Sequence, residues 1–209
     1  MTKKVTLYIG LTLVVVVLAV LALVSHRAHQ EDNARIMQHA GIILMPKPHD
    51  LPKLEFTDYN GKPVEQSQVQ GRWSLVFFGY TFCPDICPTT LAELRKLEKD
   101  LPKKARDRMQ VIFVTVDPAR DNANQLKEYL QYFNPSFIGW RSSMEKTIEL
   151  SKALSLPFIP PDTSKPGYLV QHSGNLAIIG PHGQQRGFIH SPLKVEDLAV
   201  ALPRLVEQD

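Results

Sequence analysis

The chain has 209 residues, of which 44% are apolar and 22% are charged, and its formal net charge is +3. This length fits one globular domain with a tether better than two independent domains. The densest basic run, at 103–108, is interrupted by Asp107 and is typical of a solvated helix end. The composition therefore gives no indication of a nucleic-acid-binding surface, and we predict no nucleic-acid partner.

The N-terminal segment is long and apolar enough to cross a membrane. Residues 5–24 (VTLYIGLTLVVVVLAVLALV) carry no charge, and a helix of ~20 residues spans the ~30 Å hydrocarbon core of a bilayer. Lys3 and Lys4 precede the segment, so the positive-inside rule keeps that end in the cytoplasm. We predict a cytoplasmic stub at 1–4 and a single membrane-spanning anchor at 5–25. The rest of the chain then lies on the periplasmic side of the inner membrane.

A cleaved signal peptide is the alternative interpretation of the same segment. The apolar region of a signal peptide is usually ~7–15 residues long and is followed by an A-x-A-like cleavage site. The apolar run here is longer, and Ser25-His26-Arg27 is a poor cleavage context, which favours the uncleaved anchor. Both interpretations export the rest of the chain.

Residues 26–50 show weak periodicity and are predicted to form a linker, with at most one short helix, before a domain at 51–209. The linker contains side chains that could contact a metal ion, among them His26, His29, Met37, His39 and Met45. Their spacing is too irregular to predict a specific metal site.

From Leu51 onward, strands and helices are predicted in alternation. Asn60-Gly61 is a strong hairpin signal, and the apolar runs at 73–80 and 109–116 are typical of buried strands. A helix is predicted after each of these strands, with Asp121 capping the second. Apolar residues recur there at helical spacing, at Leu91, Leu94, Leu97 and Leu101 in the first helix and at Ala123, Leu126, Tyr129, Leu130 and Phe133 in the second.

The second half of the domain continues this pattern. Ser142 with Glu145 forms a capping box, which predicts a helix ending near Ser155. Strands are predicted at 168–170, 176–179 and 186–190, and an apolar stripe at the C-terminus predicts a last helix. A βαβ unit followed by a ββα unit indicates an α/β sandwich, in which helices cover both faces of a mixed sheet.

Both cysteines lie in one segment, GYTFCPDICP at 79–88, between a predicted buried strand and a helix. A position at a helix N-terminus lowers the pKa of a cysteine and favours the thiolate. On a helix, the spacing of Cys83 and Cys87 places their Cβ atoms ~5–6 Å apart, whereas a relaxed disulfide needs ~3.8 Å. The spacing therefore suits a bridging metal ion at least as well as a disulfide, although a structural disulfide is the common use of paired cysteines in an exported domain.

Two thiolates select soft metals such as Cu(I), zinc or iron–sulfur centres. Since the chain has two cysteines, other residues would have to supply further ligands. A histidine would complete a trigonal site that suits copper in either oxidation state. His172 is the attractive candidate because it follows a predicted strand beside a turn. By position alone, however, a lone histidine at the end of a strand is more often a hydrogen-bonded structural residue than a metal ligand.

Three motifs resemble the SCO/SenC/PrrC family of copper proteins, namely GYTFCPDICP at 79–88, VDPARD at 116–121, and YLVQHS at 168–173 with IGPHG at 179–183. The resemblance covers 51–206, and the motifs come in the family's order. It implies a thioredoxin-like sandwich and a role in the copper assembly of cytochrome c oxidase. Carried over by motif, the family's copper ligands fall on Cys83, Cys87 and His172.

Two positions depart from the family pattern. The family usually has aspartate before the ligand histidine, where this chain has Gln171, and often has histidine before the first cysteine, where this chain has Phe82. Neither change removes a ligand. The loss of the acid predicts a change in the orientation of the histidine or in the preference for Cu(II). Of the matching acids, Asp121 is predicted to cap a helix, and Asp117 either to support the site or to bond within its loop.

The resemblance implies a copper chaperone rather than an enzyme. It would hold one copper, as Cu(I) or Cu(II), and pass it to a copper-accepting oxidase subunit, with an upstream copper donor or a thiol reductant as further partners. The alternative is an extracytoplasmic thiol–disulfide oxidoreductase, in which Cys83 and Cys87 form a redox-active pair that reduces target cysteines or senses redox state. Both functions need the cysteines, but only the chaperone needs His172.

Overall fold

The computed structural model describes residues 2–207 and divides the chain into two compact units, one up to Ile36 and one from Met37 onward. Helix α1, Thr2–His39, contains the predicted membrane-spanning segment. Within the described part of the chain, it is the one helix that is long and apolar enough to cross a membrane, a property that an N-terminal signal sequence shares. Met1 of the predicted stub and residues 208–209 of the predicted domain lie outside the described residues.

The second unit is built around one sheet of seven strands. These are β1 (Ile42–Asp50), β2 (Thr57–Asp58), β3 (Trp73–Gly79), β4 (Met109–Thr115), β5 (Ile138–Arg141), β6 (Leu176–Ile179) and β7 (Gln184–Ile189). Their spatial order is β1-β7-β6-β3-β4-β5-β2. β4 runs parallel to both of its neighbours, β3 and β5, whereas the other pairs are antiparallel. The predicted mixed sheet is thus confirmed.

In the described residues, five further α-helices accompany the sheet. They are α2 (Ile86–Asp100), α3 (Lys103–Arg106), α4 (Ala123–Phe133), α5 (Met144–Ala153) and α6 (Val195–Val206). α2 connects β3 to β4, α4 connects β4 to β5, and α2 packs against both α4 and α6. The apolar stripe of α2 faces inward, since Leu91, Leu94 and Leu97 are all buried.

The centre of the sheet fixes where functional residues can gather. Every residue of β3 and β4 is buried, as expected for parallel strands that are covered on both faces. The two strands end in register, with Gly79 paired to Thr115. The loops that follow them, at 80–85 and 116–122, therefore leave the sheet at the same edge.

The linker prediction is wrong for residues 26–50. The structure continues α1 to His39 and places 42–50 in β1, which pairs with β7. β1 is an edge strand in which only Ile42 is buried, so its sequence lacks the apolar alternation that marks a strand with one buried face. Its two prolines also argued against a strand, although an edge strand tolerates them.

Two other differences concern short strands. The structure has no strand at 168–170, and an isolated bridge joins the next residue, Gln171, to Ile159. β5, which was not predicted, has four residues and lies between two helices. The hairpin turn is confirmed at Asn60-Gly61, since Thr57 pairs with Pro63 across it.

The helices are confirmed, but two caps are shifted by one residue. Asn122 rather than Asp121 caps α4, because its side chain accepts from the backbone N–H of Gln125. Ser143 rather than Ser142 caps α5 in the same way. Each prediction chose the residue just before the true cap, since neighbouring polar residues have similar capping propensity.

Candidate metal centre

The two cysteines lie where β3 gives way to α2. Cys83 is in the connecting turn and is partly exposed, whereas Cys87 is in the first turn of α2 and is fully buried. Both are free thiols. The backbone N–H of Cys87 donates to Sγ of Cys83 at 3.4 Å, and the N–H of Tyr80 donates to Sγ of Cys87 at 3.4 Å. The backbone of the turn therefore holds both sulfur atoms.

Gly79 makes room for the buried sulfur. A Cβ atom at this position would lie 2.7 Å from Sγ of Cys87 and 2.8 Å from Cε2 of Phe113. Any side chain larger than hydrogen would push the sulfur or the ring away. Gly79 belongs to the cysteine motif, but this role was not predicted for it.

His172 faces the cysteines from the other side of the site. Its Nε2 lies 3.3 Å from Sγ of Cys87. Its ring packs edge-on against the rings of Tyr80 and Phe77, with centroids 5.7 and 5.9 Å away. The predicted third ligand is thus brought to the cysteine turn, and two aromatic rings fix the plane of its imidazole.

A carbonyl group, rather than an acid, orients His172. Nδ1 lies 3.0 Å from the backbone oxygen of Ser173. Because a carbonyl oxygen only accepts, Nδ1 carries the proton and Nε2 presents its lone pair to the site. The side chain before the ligand is therefore not needed for orientation, and Gln171 at this position leaves the imidazole correctly aimed.

The three donor atoms, Sγ of Cys83, Sγ of Cys87 and one imidazole nitrogen of His172, lie within 4.8 Å of one another. Among the residues that the structure describes, this is the one group of three or more histidine, cysteine or acidic side chains with such spacing. Two sulfurs and one nitrogen suit copper. A structural zinc ion would need a fourth ligand, which this group does not supply.

The pKa values of the two thiols are shifted in opposite directions. A hydrogen bond from the Cys87 side chain lowers the pKa of Cys83, and backbone N–H groups of the turn lower it further. Burial raises the pKa of Cys87, and the neighbouring Cys83 adds to the effect. Cys83 therefore loses its proton more readily than Cys87, and the last proton of the metal-free pair stays on Cys87. Binding a cation through both sulfurs releases that proton.

Asp121 supports the cysteine turn instead of capping a helix. It is fully buried, and burial raises its pKa. Its carboxylate accepts from the hydroxyl of Thr115 at 2.6 Å, and from the hydroxyl of Thr81 at 2.7 Å and its backbone N–H at 3.1 Å. Thr81 precedes Cys83 by two residues, so this acid ties the turn to the end of β4.

Asp117 lies beside the segment that carries His172. It is fully buried, forms an ion pair with Arg120, and accepts from the hydroxyl of Tyr168 at 2.8 Å. Both contacts predicted for Asp117 are thus present, since the pair with Arg120 lies within its own loop and the bond from Tyr168 reaches the segment that carries His172. Arg120 and Tyr168 belong to the sequence motifs at 116–121 and 168–173, but no role was predicted for either.

Comparison with known proteins identifies the family. The SCO1/SenC family model matches residues 44–207. The chain belongs to the SCO1/SenC family. A relative in Stutzerimonas stutzeri, named for copper binding, is 44% identical over 178 residues, which cover 85% of this chain and 87% of that protein. The SCO2 mitochondrial protein of Saccharomyces cerevisiae is 38% identical over 156 residues. That match covers 74% of this SCO1/SenC chain but only 50% of the yeast protein.

Solved structures confirm the thioredoxin-like sandwich of this SCO1/SenC protein. Yeast Sco1 with copper bound superposes with a TM-score of 0.71 at 30% identity, covering 78% of this chain and 91% of that one. Copper-bound ScoI of Bradyrhizobium japonicum gives a TM-score of 0.66 at 28% identity, covering 74% of this chain and 98% of that one. Both neighbours hold copper, the metal that the donor set here suits.

Proposed function

We propose that this SCO1/SenC protein is a copper chaperone. It binds one copper ion through Cys83, Cys87 and His172 and passes the ion to a copper-accepting subunit of cytochrome c oxidase. The observation that carries the proposal is the convergence of two sulfurs and one imidazole nitrogen within 4.8 Å. Copper-bound relatives support the choice of metal, and the resemblance in sequence motifs supports the oxidase as recipient.

The exposure of the ligands suits transfer by ligand exchange. Cys83 and His172 are partly exposed, whereas Cys87 is fully buried. Incoming thiolate or imidazole ligands of a recipient therefore reach the ion from the side of Cys83 and His172. Cys87 is the last ligand to release the ion, since its sulfur is buried beneath the turn.

Apolar side chains around the ligands offer a face for the recipient. Phe82 and Ile86 flank the cysteines and are 50% and 40% exposed. On the other side, Leu169 is 64% exposed, and Ile159, whose backbone pairs with Gln171, is 61% exposed. Large exposed apolar residues that surround a site mark an interaction surface. We assign this rim to docking of the oxidase subunit.

A copper titration tests the ligand set. Replacing His172 with alanine is expected to weaken Cu(I) binding by at least ~100-fold. Removing even a residue that only hydrogen-bonds to a metal ligand usually lowers metal affinity ~10–100-fold, and His172 is itself a proposed ligand. The measurement is competition with a Cu(I) chelator, using the reduced protein. His49→Ala is the matched control, since this histidine is exposed on the edge strand β1. Equal affinities for wild type and His172→Ala would refute the three-ligand site.

Thiol–disulfide exchange is the second candidate function, and the unequal thiols favour it. A thiolate on the partly exposed Cys83, with a buried thiol at Cys87, is the arrangement of an attacking and a resolving cysteine. In this function the protein reduces cysteines of a target or senses redox state, and His172 carries no metal. Oxidase activity in cells that express the Cys83→Ser, Cys87→Ser or His172→Ala variant separates the two functions.

Either function needs further partners. The thiols must be reduced before they bind copper, because a disulfide offers no thiolate. We therefore infer an extracytoplasmic thiol reductant and an upstream copper donor as partners. The rim of Phe82, Ile86, Ile159 and Leu169 would serve each of them in turn, since all must reach the same two sulfurs.

We further propose that α1 anchors the mature protein, with its N-terminus in the cytoplasm and the domain in the periplasm. A reporter enzyme that is active only outside the cytoplasm, fused after Asp209, is expected to be active. Alkaline extraction is expected to leave the protein in the membrane fraction, because ~20 apolar residues insert stably. A mature N-terminus near His26 would show instead a cleaved signal peptide. An inactive reporter would contradict the proposed orientation and indicate that the domain lies on the cytoplasmic side.

A further inference from the structure

The loop at 116–122, between β4 and α4, contacts both segments that carry the proposed copper ligands. On one side, Asp121 accepts two hydrogen bonds from Thr81, which precedes Cys83 by two residues. On the other side, Asp117 accepts from the hydroxyl of Tyr168, which precedes His172 by four residues. One loop is thus bonded to the cysteine turn and to the histidine segment.

Arg120 joins the two sides through its guanidinium. The guanidinium carbon lies 3.7 Å above the centre of the Tyr168 ring and 5.1 Å from that of Phe82, the residue before Cys83. Its Nε forms an ion pair with the buried carboxylate of Asp117. A flat guanidinium packs between two aromatic rings in this way, whereas the compact ammonium of lysine does not.

Arg120 is held by ring packing and by its pair with Asp117, although its hydrogen bonding is incomplete. Its Nη2 atom is buried and has no hydrogen-bond partner among the described residues. An unsatisfied buried donor is unfavourable, so the rings and the carboxylate of Asp117 must hold the guanidinium in place.

The histidine segment needs such support because it has little regular structure. Between the end of α5 and the start of β6 there is no helix or strand, only the bridge between Ile159 and Gln171. Another anchor near the site is the backbone N–H of Val170, which donates to the Tyr80 hydroxyl at 3.3 Å. Without the Arg120 contacts, the segment would still have these two bonds, the bond from Tyr168 to Asp117, and the contacts of the imidazole with Cys87 and the two rings. None of these contacts packs the segment against Phe82 of the cysteine turn, as the guanidinium does.

We infer that Arg120, held by Asp117, is a positioning residue that clamps the His172 segment onto the cysteine turn. This inference rests on the proposed copper site. The clamp sets how well the imidazole is placed for binding, and therefore how much the third ligand adds to copper affinity. Arg120 itself donates no ligand atom.

A double-mutant cycle tests the clamp. Arg120→Gln is expected to lower Cu(I) affinity by ~10–100-fold, the usual effect of removing an outer partner of a ligand. In a His172→Ala background the same change is expected to lower Cu(I) affinity by less than ~3-fold, because Arg120 acts on affinity through the position of the imidazole. Arg120→Lys, which keeps the charge, is expected to restore little of the loss. Arg95→Gln, an exposed arginine on α2, is the control for loss of charge and should bind as wild type does.

A second readout needs no metal. In the metal-free Arg120→Gln protein, backbone amides at 160–172 are expected to exchange hydrogen faster, with the central strands β3 and β4 unchanged. Tyr168→Phe, which keeps the ring but removes the bond to Asp117, should show a smaller increase and guards against a variant that fails to fold. Equal losses with and without His172, or unchanged exchange at 160–172, would overturn the clamp while leaving the copper site intact. Equal Cu(I) affinities for wild type and His172→Ala would overturn the proposed site itself.

Discussion

Replacing either cysteine with serine is expected to abolish tight copper binding. A hydroxyl group at neutral pH is a hard, protonated ligand, whereas Cu(I) prefers soft thiolates. One remaining thiolate and one imidazole would hold the ion far more weakly than the three donors that converge within 4.8 Å. The measurement is the copper content of the reduced soluble domain after dialysis. We expect close to one ion per chain for wild type and near zero for Cys83→Ser and Cys87→Ser.

The two serine variants are expected to differ in stability. Cys87 is fully buried and its sulfur accepts from the backbone N–H of Tyr80, so Cys87→Ser places a polar hydroxyl in a tight apolar space. Cys83 is partly exposed, and Cys83→Ser should leave thermal unfolding close to that of wild type. Ile86→Ser, an exposed position between the two cysteines, is the matched control and should retain copper. Full copper content in Cys83→Ser would place the ligands elsewhere.

The elements of the fold that could be predicted from the sequence are those with a clear local pattern of residues. β3 and β4 are unbroken apolar runs because they are buried on both faces, and a run of that kind needs no knowledge of its neighbours. β1 could not be found in this way. It is bonded to β7, far along the chain, and most of its side chains are exposed, so nothing in its own residues marks the pairing.

The ligands were predictable for a different reason. The C-x-x-x-C spacing of Cys83 and Cys87 carries chemical meaning by itself, whereas His172 needed the family resemblance. For the supporting residues, neither spacing nor family resemblance indicated a role. Gly79 matters because of a contact with Cys87 across the turn, and Arg120 matters because it packs on Tyr168. The contact of Arg120 with Tyr168 appears only when distant segments are brought together, and that of Gly79 with Cys87 appears only when the turn is folded.

One prediction from the sequence is changed by the geometry. The absence of an acid before the ligand histidine suggested a change in its orientation. The structure assigns that task to the carbonyl of Ser173, 3.0 Å from Nδ1. Gln171 is exposed, and the contact between Nδ1 and that carbonyl does not involve its side chain. The remaining consequence of the change is the loss of a negative charge near the site.

Deleting this protein is expected to reduce cytochrome c oxidase activity most strongly when copper is scarce. Plentiful copper can load the oxidase without help, so added copper should restore much of the activity. His172→Ala should behave as the deletion does, because a site that has lost one of three ligands holds the ion too weakly to carry it. His49→Ala is again the control and should support normal activity. The measurement is oxidase activity in membranes from cells grown with and without added copper.

A thiol–disulfide oxidoreductase predicts the opposite pattern in the same strains. Cys83 and Cys87 alone would carry that function, so His172→Ala should be close to normal while either serine variant fails. A small thiol reductant in the medium should then rescue the deletion better than copper does, since the missing step is reduction of the target cysteines. Each strain is therefore grown with copper, with reductant, with both and with neither. Rescue by copper with failure of His172→Ala supports delivery of the ion. Rescue by reductant alone, with a functional His172→Ala, would replace the chaperone with the oxidoreductase.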